Sequence, residues 1–175
     1  GSLDFEKDFG IKEAIATARI TVLSELAAHE HLPLSIALEV FRSVIEPAFA
    51  FSRWLWVSIF DIEHKLDALY HRWGCLLLGT DVWRNKAVVR SELGWQLGGY
   101  ARLILDIGCK LAKFKQWEPD SFYGRPRHLC ASYGCGWAVS VTRLFDTLAL
   151  PVCVHGQDAQ TYKDSLKGAL IQWSA

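Results

Sequence analysis

No methionine occurs anywhere in the chain. The flexible thioether that usually fills irregular gaps in a core is missing, so the interior has to close with rigid rings and branched aliphatics. Long apolar runs are also lacking. The longest, around residues 47–60, is interrupted by Arg53 and several serines, which excludes a membrane-spanning helix. No secretory leader is visible. Five widely spaced cysteines (Cys75, Cys109, Cys130, Cys135, Cys153) are an odd number for a disulfide framework. They suit reduced thiols in an intracellular protein, nuclear or cytoplasmic, rather than a secreted one. The chain has no P-loop, no Gly-x-Gly-x-x-Gly and no Gly-x-Ser-x-Gly. The usual phosphate cradle, dinucleotide fingerprint and nucleophile elbow are thereby excluded. Internal repeats and low-complexity tracts are absent as well.

What is present is apolar and aromatic. Hydrophobic residues make up 51% of the chain and charged residues 22%, with eight Trp and nine Phe, enough to build a core and too much for a disordered segment. The formal net charge is zero, but it is unevenly spread. Residues 1–70 hold 6 Lys/Arg and 11 Asp/Glu, residues 71–127 hold 10 and 5, and residues 128–175 hold 3 and 3. A basic middle segment in a neutral chain fits an anionic partner, and fits equally a domain whose charges interleave in space. Gly1-Ser2 reads as a cleavage scar, and the chain is expected to be part of a larger polypeptide.

Helical periodicity dominates. The spacing predicts a helix over 10–29, with Ile11, Ile15, Ala18, Val22 and Leu26 as its apolar stripe and Asp8 near its start. A second helix is expected over 34–51, capped by Ser35 and kinked or ended near Pro47, with Ile36, Val40, Ile45 and Phe49 near one side. Residues 51–60 fit either a buried helix or a connection. A clear amphipathic helix covers 61–78: Ile62, Leu66, Leu69, Tyr70, Trp73, Leu76 and Leu77 face one way, and Asp61, His64, Lys65, Ala68, His71 and Arg72 the other. Asp61 is its expected N-cap and Gly79 its stop. Further helices are expected over 85–93, 100–115, 136–150 and 158–173. The expected fold is therefore an all-α bundle of six to seven helices with one longer loop containing Gly and Pro. Its expected division is a bundle over 3–116, a loop over 117–135 and a C-terminal helical hairpin over 136–175, packed on the bundle.

The order of landmarks carries a resemblance. Val-Ile-Glu-Pro-Ala-Phe-Ala-Phe (44–51) is followed by Trp54 and Trp56, then by a helix closing in Cys-Leu-Leu-Leu-Gly (75–79), then by Arg84-Asn85-Lys86-Ala87-Val88-Val89-Arg90-Ser91-Glu92-Leu93-Gly94-Trp95. Over residues 10–95 this resembles the segment after the palm in reverse transcriptases of non-LTR (LINE-type) retrotransposons. That family shows a P-x-L-x-Y-G-x-E-x-W pattern, a helix ending in LG, and an N-x-x-V … E-L-G stretch. The chain departs from it at Phe51-Ser52, where Tyr-Gly is usual, and at Arg53 and Leu55, near the expected acid. The family's aromatic-Ala-Asp-Asp turn is absent. The resemblance implies a thumb-and-linker piece without a polymerase active site, gripping template–primer duplex or RNA–DNA hybrid through its backbone.

The cations fit that expectation on their own terms, because backbone gripping needs Lys and Arg on helix faces. Lys65 and Arg72 stand seven apart on one helix, Lys86 and Arg90 four apart on another, and Arg84 just before it. Arg125 and Arg127, flanked by Tyr123 and Tyr133, form a basic loop of the kind that contacts single strands. Ordinary solvated faces account for the same residues without a ligand. Five metal-ligand types fall in one stretch: His128, Cys130, Cys135, Cys153 and His155. Their spacing is not that of a zinc knuckle, and a predicted helix separates the halves, so buried small thiols explain them better and no cofactor is expected. Asp61, Glu63 and Asp67 alternate with His64 and Lys65, as on an ion-paired surface. No local signature supports a Cys–His nucleophile. Trp54, Trp56, Trp73, Trp83 and Trp95 are expected as core anchors. Trp83 and Trp95, beside Gly and basic residues, also fit base stacking or a partner's pocket. The competing function is a protein interaction module with an aromatic surface, whose oligomeric state the residues leave open.

Overall fold

The computed structural model describes residues 4–29, 32–116, 136–151 and 157–173. Among them every regular element is helical, so the all-α expectation holds. In chain order these are α1 (Phe5–Ala28), α2 (Leu34–Val40), a π turn (Phe41–Ile45), α3 (Glu46–Ala50), a 3-10 helix (Arg53–Ser58), α4 (Ile62–Leu78), α5 (Lys86–Glu92), α6 (Gly99–Gln116), α7 (Gly136–Thr147) and α8 (Ala159–Trp173). The expected loop over 117–135 lies outside the described residues. Two compact units divide the chain, Gly1–Tyr100 and Ala101–Ala175.

In the first unit α1 lies along α4 and touches the 3-10 helix and the α2–α3 arm. It starts earlier than the periodicity suggested. The Asp4 carboxylate accepts the Lys7 N–H at 3.1 Å, an N-cap that opens the helix at Phe5. Its inward face also differs from expectation. Phe9, Ala16, Ile20 and Leu23 are buried, whereas Ile11, Ile15, Val22 and Leu26 are 45–57% exposed and Ala18 is exposed. Two stripes at helical spacing run along this helix, and only one can face α4. The inward one carries Phe9, whose ring meets Trp56 at 5.1 Å, and stands beside Thr17, whose hydroxyl accepts the Trp73 indole N–H at 3.0 Å.

The expected helix over 34–51 is present but interrupted. Its buried residues are Ala37, Phe41, Ile45 and Phe49, while Ile36 is exposed. A strict spacing of four drifts by about 40° per step around an ideal helix. The π turn, with the Glu46 N–H bonded to the Phe41 carbonyl, inserts an extra residue that brings the row back into line. Pro47 follows in the first turn of α3, directly after the π turn, where the regular i→i−4 ladder is already broken.

These elements enclose an aromatic core. Phe49 lies 4.8 Å from Trp73 and 5.0 Å from Trp56, Tyr70 lies 5.2 Å from Trp73, and Phe41 stacks on Trp95 at 5.2 Å. Each pair adds stabilisation beyond the area it buries. Asp8 accepts the Trp56 indole N–H at 3.0 Å and the Ser52 hydroxyl at 2.9 Å. Burial pushes its carboxyl up, but these two hydrogen bonds and the charge of Lys12 outweigh that and hold it below the usual range. Arg53 is a buried cation, 4% exposed, bonded to the Tyr70 hydroxyl and 3.8 Å from the Glu46 carboxylate.

The helix α4 matches its expected span and, apart from half-buried Leu76, its expected face. Gly79 ends it at φ +62, and the Thr80 N–H reaches back to the Cys75 carbonyl at 2.9 Å. Asp61 stands at the N-cap, but its carboxylate faces His64 Nδ1 at 2.7 Å instead of a backbone N–H. Asn85 caps α5 by accepting the Ala87 N–H at 2.8 Å. The first residues of α6 come very close to α4. A Cβ on Gly99 would lie 2.5 Å from the Leu66 carbonyl oxygen, so no other residue fits there without moving backbone. Asp67 accepts the Tyr100 N–H at 3.0 Å. Burial first, and then the charges of Glu63 and Asp67, push the Tyr100 phenol up to about 12.

The second unit is built from the rest of α6 with α7 and α8. Leu103, Ile104 and Ile107, Val141 and Phe145, and Tyr162, Leu166 and Leu170 are among its buried apolar residues. At Gly108 a Cβ would meet the Leu166 side chain at 2.2 Å, which marks the close approach of α6 and α8. The Tyr162 hydroxyl donates to the Pro151 carbonyl at 3.0 Å, and Asp158 caps α8 through the Thr161 N–H at 2.9 Å.

Candidate nucleic-acid interface

The polar side of α4 carries Lys65 and Arg72, two helical turns apart. Alongside it, α1 presents Glu6 and Glu13 at the same spacing. The result is a two-rung ladder: Lys65 Nζ to Glu6 at 3.3 Å and Arg72 Nη2 to Glu13 at 2.7 Å. All four side chains are partly exposed, so each rung is worth at most about 1 kcal/mol and an incoming anion can compete for the cation.

A shallow groove of about 650 Å³ opens along this ladder. Phe9, Ile59 and Leu69 supply apolar lining, Lys65 and Arg72 line it with their carboxylates, and Lys86 from α5 joins them. Among the described residues no carboxylate pairs with Lys86, which is exposed. The segment leading to α5 is tied down by His71, whose Nε2 meets the Val82 carbonyl at 2.9 Å. Three of the expected cations therefore converge on one groove, against two carboxylates.

The others go elsewhere. Arg84 pairs with Glu92 at 2.6 Å across α5. Arg90 is half-buried, and both its guanidinium and the Asp67 carboxylate lie against Gly98. Arg125, Arg127, His128, Cys130, Cys135, Cys153 and His155 lie outside the described residues. Among the described residues no group of three His, Cys, Asp or Glu is arranged to hold a metal, and no helix is long and apolar enough to cross a membrane.

The tryptophans separate sharply. Trp56, Trp73 and Trp95 are buried and Trp54 is half-buried, whereas Trp83 is 92% exposed. Trp95 is thus an anchor against Phe41 and cannot stack on a ligand, and Trp83 is not the core anchor first expected. Sequence reasoning missed Glu6 and Glu13, which lie 59 residues from their partners and look like ordinary first-turn and mid-helix acids.

Comparisons of the chain with family models, with curated proteins and with solved structures return no match.

Proposed function

We propose that this chain binds nucleic acid through the phosphate backbone at the α1–α4–α5 groove, as a non-catalytic, thumb-like part of a LINE-type reverse transcriptase. The observation that carries this reading is the convergence of Lys65, Arg72 and Lys86 on one open groove, with Lys86 unpaired among the described residues. Duplex DNA or an RNA–DNA hybrid offers phosphates at regular intervals along such a groove, and contact requires no base recognition. Lys65 and Arg72 exchange a weak surface carboxylate for a phosphate, while Lys86 adds a contact without an exchange.

The ladder makes the test two-sided. Lys65→Ala/Arg72→Ala/Lys86→Ala should weaken binding to labelled duplex in fluorescence anisotropy and flatten the slope of log affinity against log salt by roughly three. Glu6→Gln/Glu13→Gln removes the competing carboxylates and should tighten binding. Unchanged affinity in both variants would sink the proposal.

A second reading rests on a different observation. Ile11, Ile15, Ala18, Val22 and Leu26 form an exposed apolar stripe along α1, the kind of surface a helical interaction module buries on a partner. If this stripe mediates association, Ile15→Glu/Val22→Glu should abolish concentration-dependent sedimentation. A chain that sediments as a monomer at all concentrations with both residues intact removes the self-association form of this reading.

A further inference from the structure

We infer that Trp83, whose chain neighbour Val82 lines the phosphate groove, is a stacking platform for an unpaired base; this inference rests on the nucleic-acid reading above. The indole is 92% exposed, and among the described residues no ring packs on it. Its neighbours in the chain, by contrast, are fixed. The Val82 carbonyl is held by His71 at 2.9 Å. The Arg84 N–H bonds to the Asp81 carbonyl at 3.1 Å, and the Arg84 guanidinium is held by Glu92 at 2.6 Å. Asn85 then caps α5. A turn braced on both sides therefore presents one large ring to solvent. Such a ring has only two side-chain torsions to fix on binding, so contact costs little entropy.

Charge points to a nucleotide as the occupant. Residues 81–92 carry Arg84, Lys86 and Arg90 against Asp81 and Glu92, and with Arg84 held by Glu92 it is Lys86, three residues past the ring, that stands ready for a phosphate. Val82 and Lys86, on either side of Trp83 in sequence, both line the groove. A ligand that follows the groove with its phosphates brings its bases to the ring's neighbourhood. Inside a duplex those bases are already stacked on one another. The last pair of a duplex shows its free face only along the helix axis, away from a protein that follows the backbone, whereas an unpaired base can turn out to meet the ring. The chain should therefore prefer a duplex that continues into a single strand over a blunt duplex of equal charge.

The experiment compares two labelled hairpins with the same number of phosphates, one blunt and one with a single-stranded overhang, bound to the full chain and to Trp83→Ala in fluorescence anisotropy. The parent chain should favour the overhang by about tenfold, within the range of one base–aromatic contact. Trp83→Ala should lose that preference and keep its affinity for the blunt hairpin, and Trp83→Phe should retain part of it. A preference that survives Trp83→Ala, or no preference in the parent chain, overturns the inference while leaving backbone binding intact. A variant that changes sedimentation but not nucleic-acid binding assigns the ring to a protein contact and overturns it too. Absence of binding to the blunt hairpin instead defeats the underlying reading. The ring's exposure makes a folding defect in Trp83→Ala unexpected, and an unchanged circular-dichroism melt checks this.

Discussion

Replacing Trp73 with alanine is expected to destabilise the first unit by about 3–5 kcal/mol, as large-to-small changes of fully buried aromatics do. The side chain has no solvent exposure and touches rings from three directions: Phe49 at 4.8 Å, Tyr70 at 5.2 Å and Phe41 at 6.2 Å. Its indole N–H also ties α4 to Thr17 of α1. Alanine thus opens a cavity between α1, α4 and the α2–α3 arm and leaves the Thr17 hydroxyl without that donor. Domains of this size have a total stability of about 5–15 kcal/mol, so the variant should sit near its unfolding threshold. Trp73→Phe keeps most of the packing and loses the hydrogen bond, so it should cost clearly less. Chemical denaturation followed by far-UV circular dichroism measures both. A loss below about 1 kcal/mol for Trp73→Ala would mean that the aromatic cluster does not hold the helices together.

Arg53→Ala is expected to cost a comparable amount, about 3–5 kcal/mol, for a different reason. Arg53 is buried against Glu46 and the Tyr70 hydroxyl, and Tyr70 in turn donates to Glu46 at 3.2 Å. Removing the cation leaves the Glu46 carboxylate, of low exposure, with the Tyr70 hydrogen bond but without the charge of Arg53. The penalty comes from that loss of compensation more than from any strength of the pair itself. Arg53→Met/Glu46→Leu should therefore recover most of the lost stability. A double variant that is no more stable than Arg53→Ala would contradict this assignment.

Some elements were legible because one local rule fixed them. The period of α4, closed by Gly79, left a single choice of face, and its partner helices buried that face as expected. In α1 the same rule offered two apolar stripes, and which turned inward was decided by Phe9 and Thr17 meeting tryptophans more than 45 residues away. Spacing in α2–α3 misled differently, because the row Ala37, Phe41, Ile45, Phe49 shares a face only once a π turn is inserted, whereas the pattern put Ile36 and Val40 on that side and the irregularity at Pro47. Arg53 looked like an interruption of an apolar run, since its partner carboxylate stands on the preceding helix. In the groove, Lys65 and Arg72 were readable as one face of α4, but Glu6 and Glu13 came from another helix and changed the meaning of that face from bare cations to exchangeable ion pairs. Trp73 was legible as core because it falls on the apolar face of α4, whereas Trp83 stands in the turn between α4 and α5, where no helical period says whether a ring turns inward.

The most direct test of backbone binding is a salt titration of the unmodified chain with a labelled RNA–DNA hybrid, read by fluorescence anisotropy. Binding through Lys65, Arg72 and Lys86 predicts affinity that falls linearly in log–log form, with a slope near three if each cation meets one phosphate. The same slope should be seen for hybrids of unrelated sequence. No binding at low salt, or binding that is indifferent to salt, would contradict it and leave the apolar stripe of α1 as the surface to pursue.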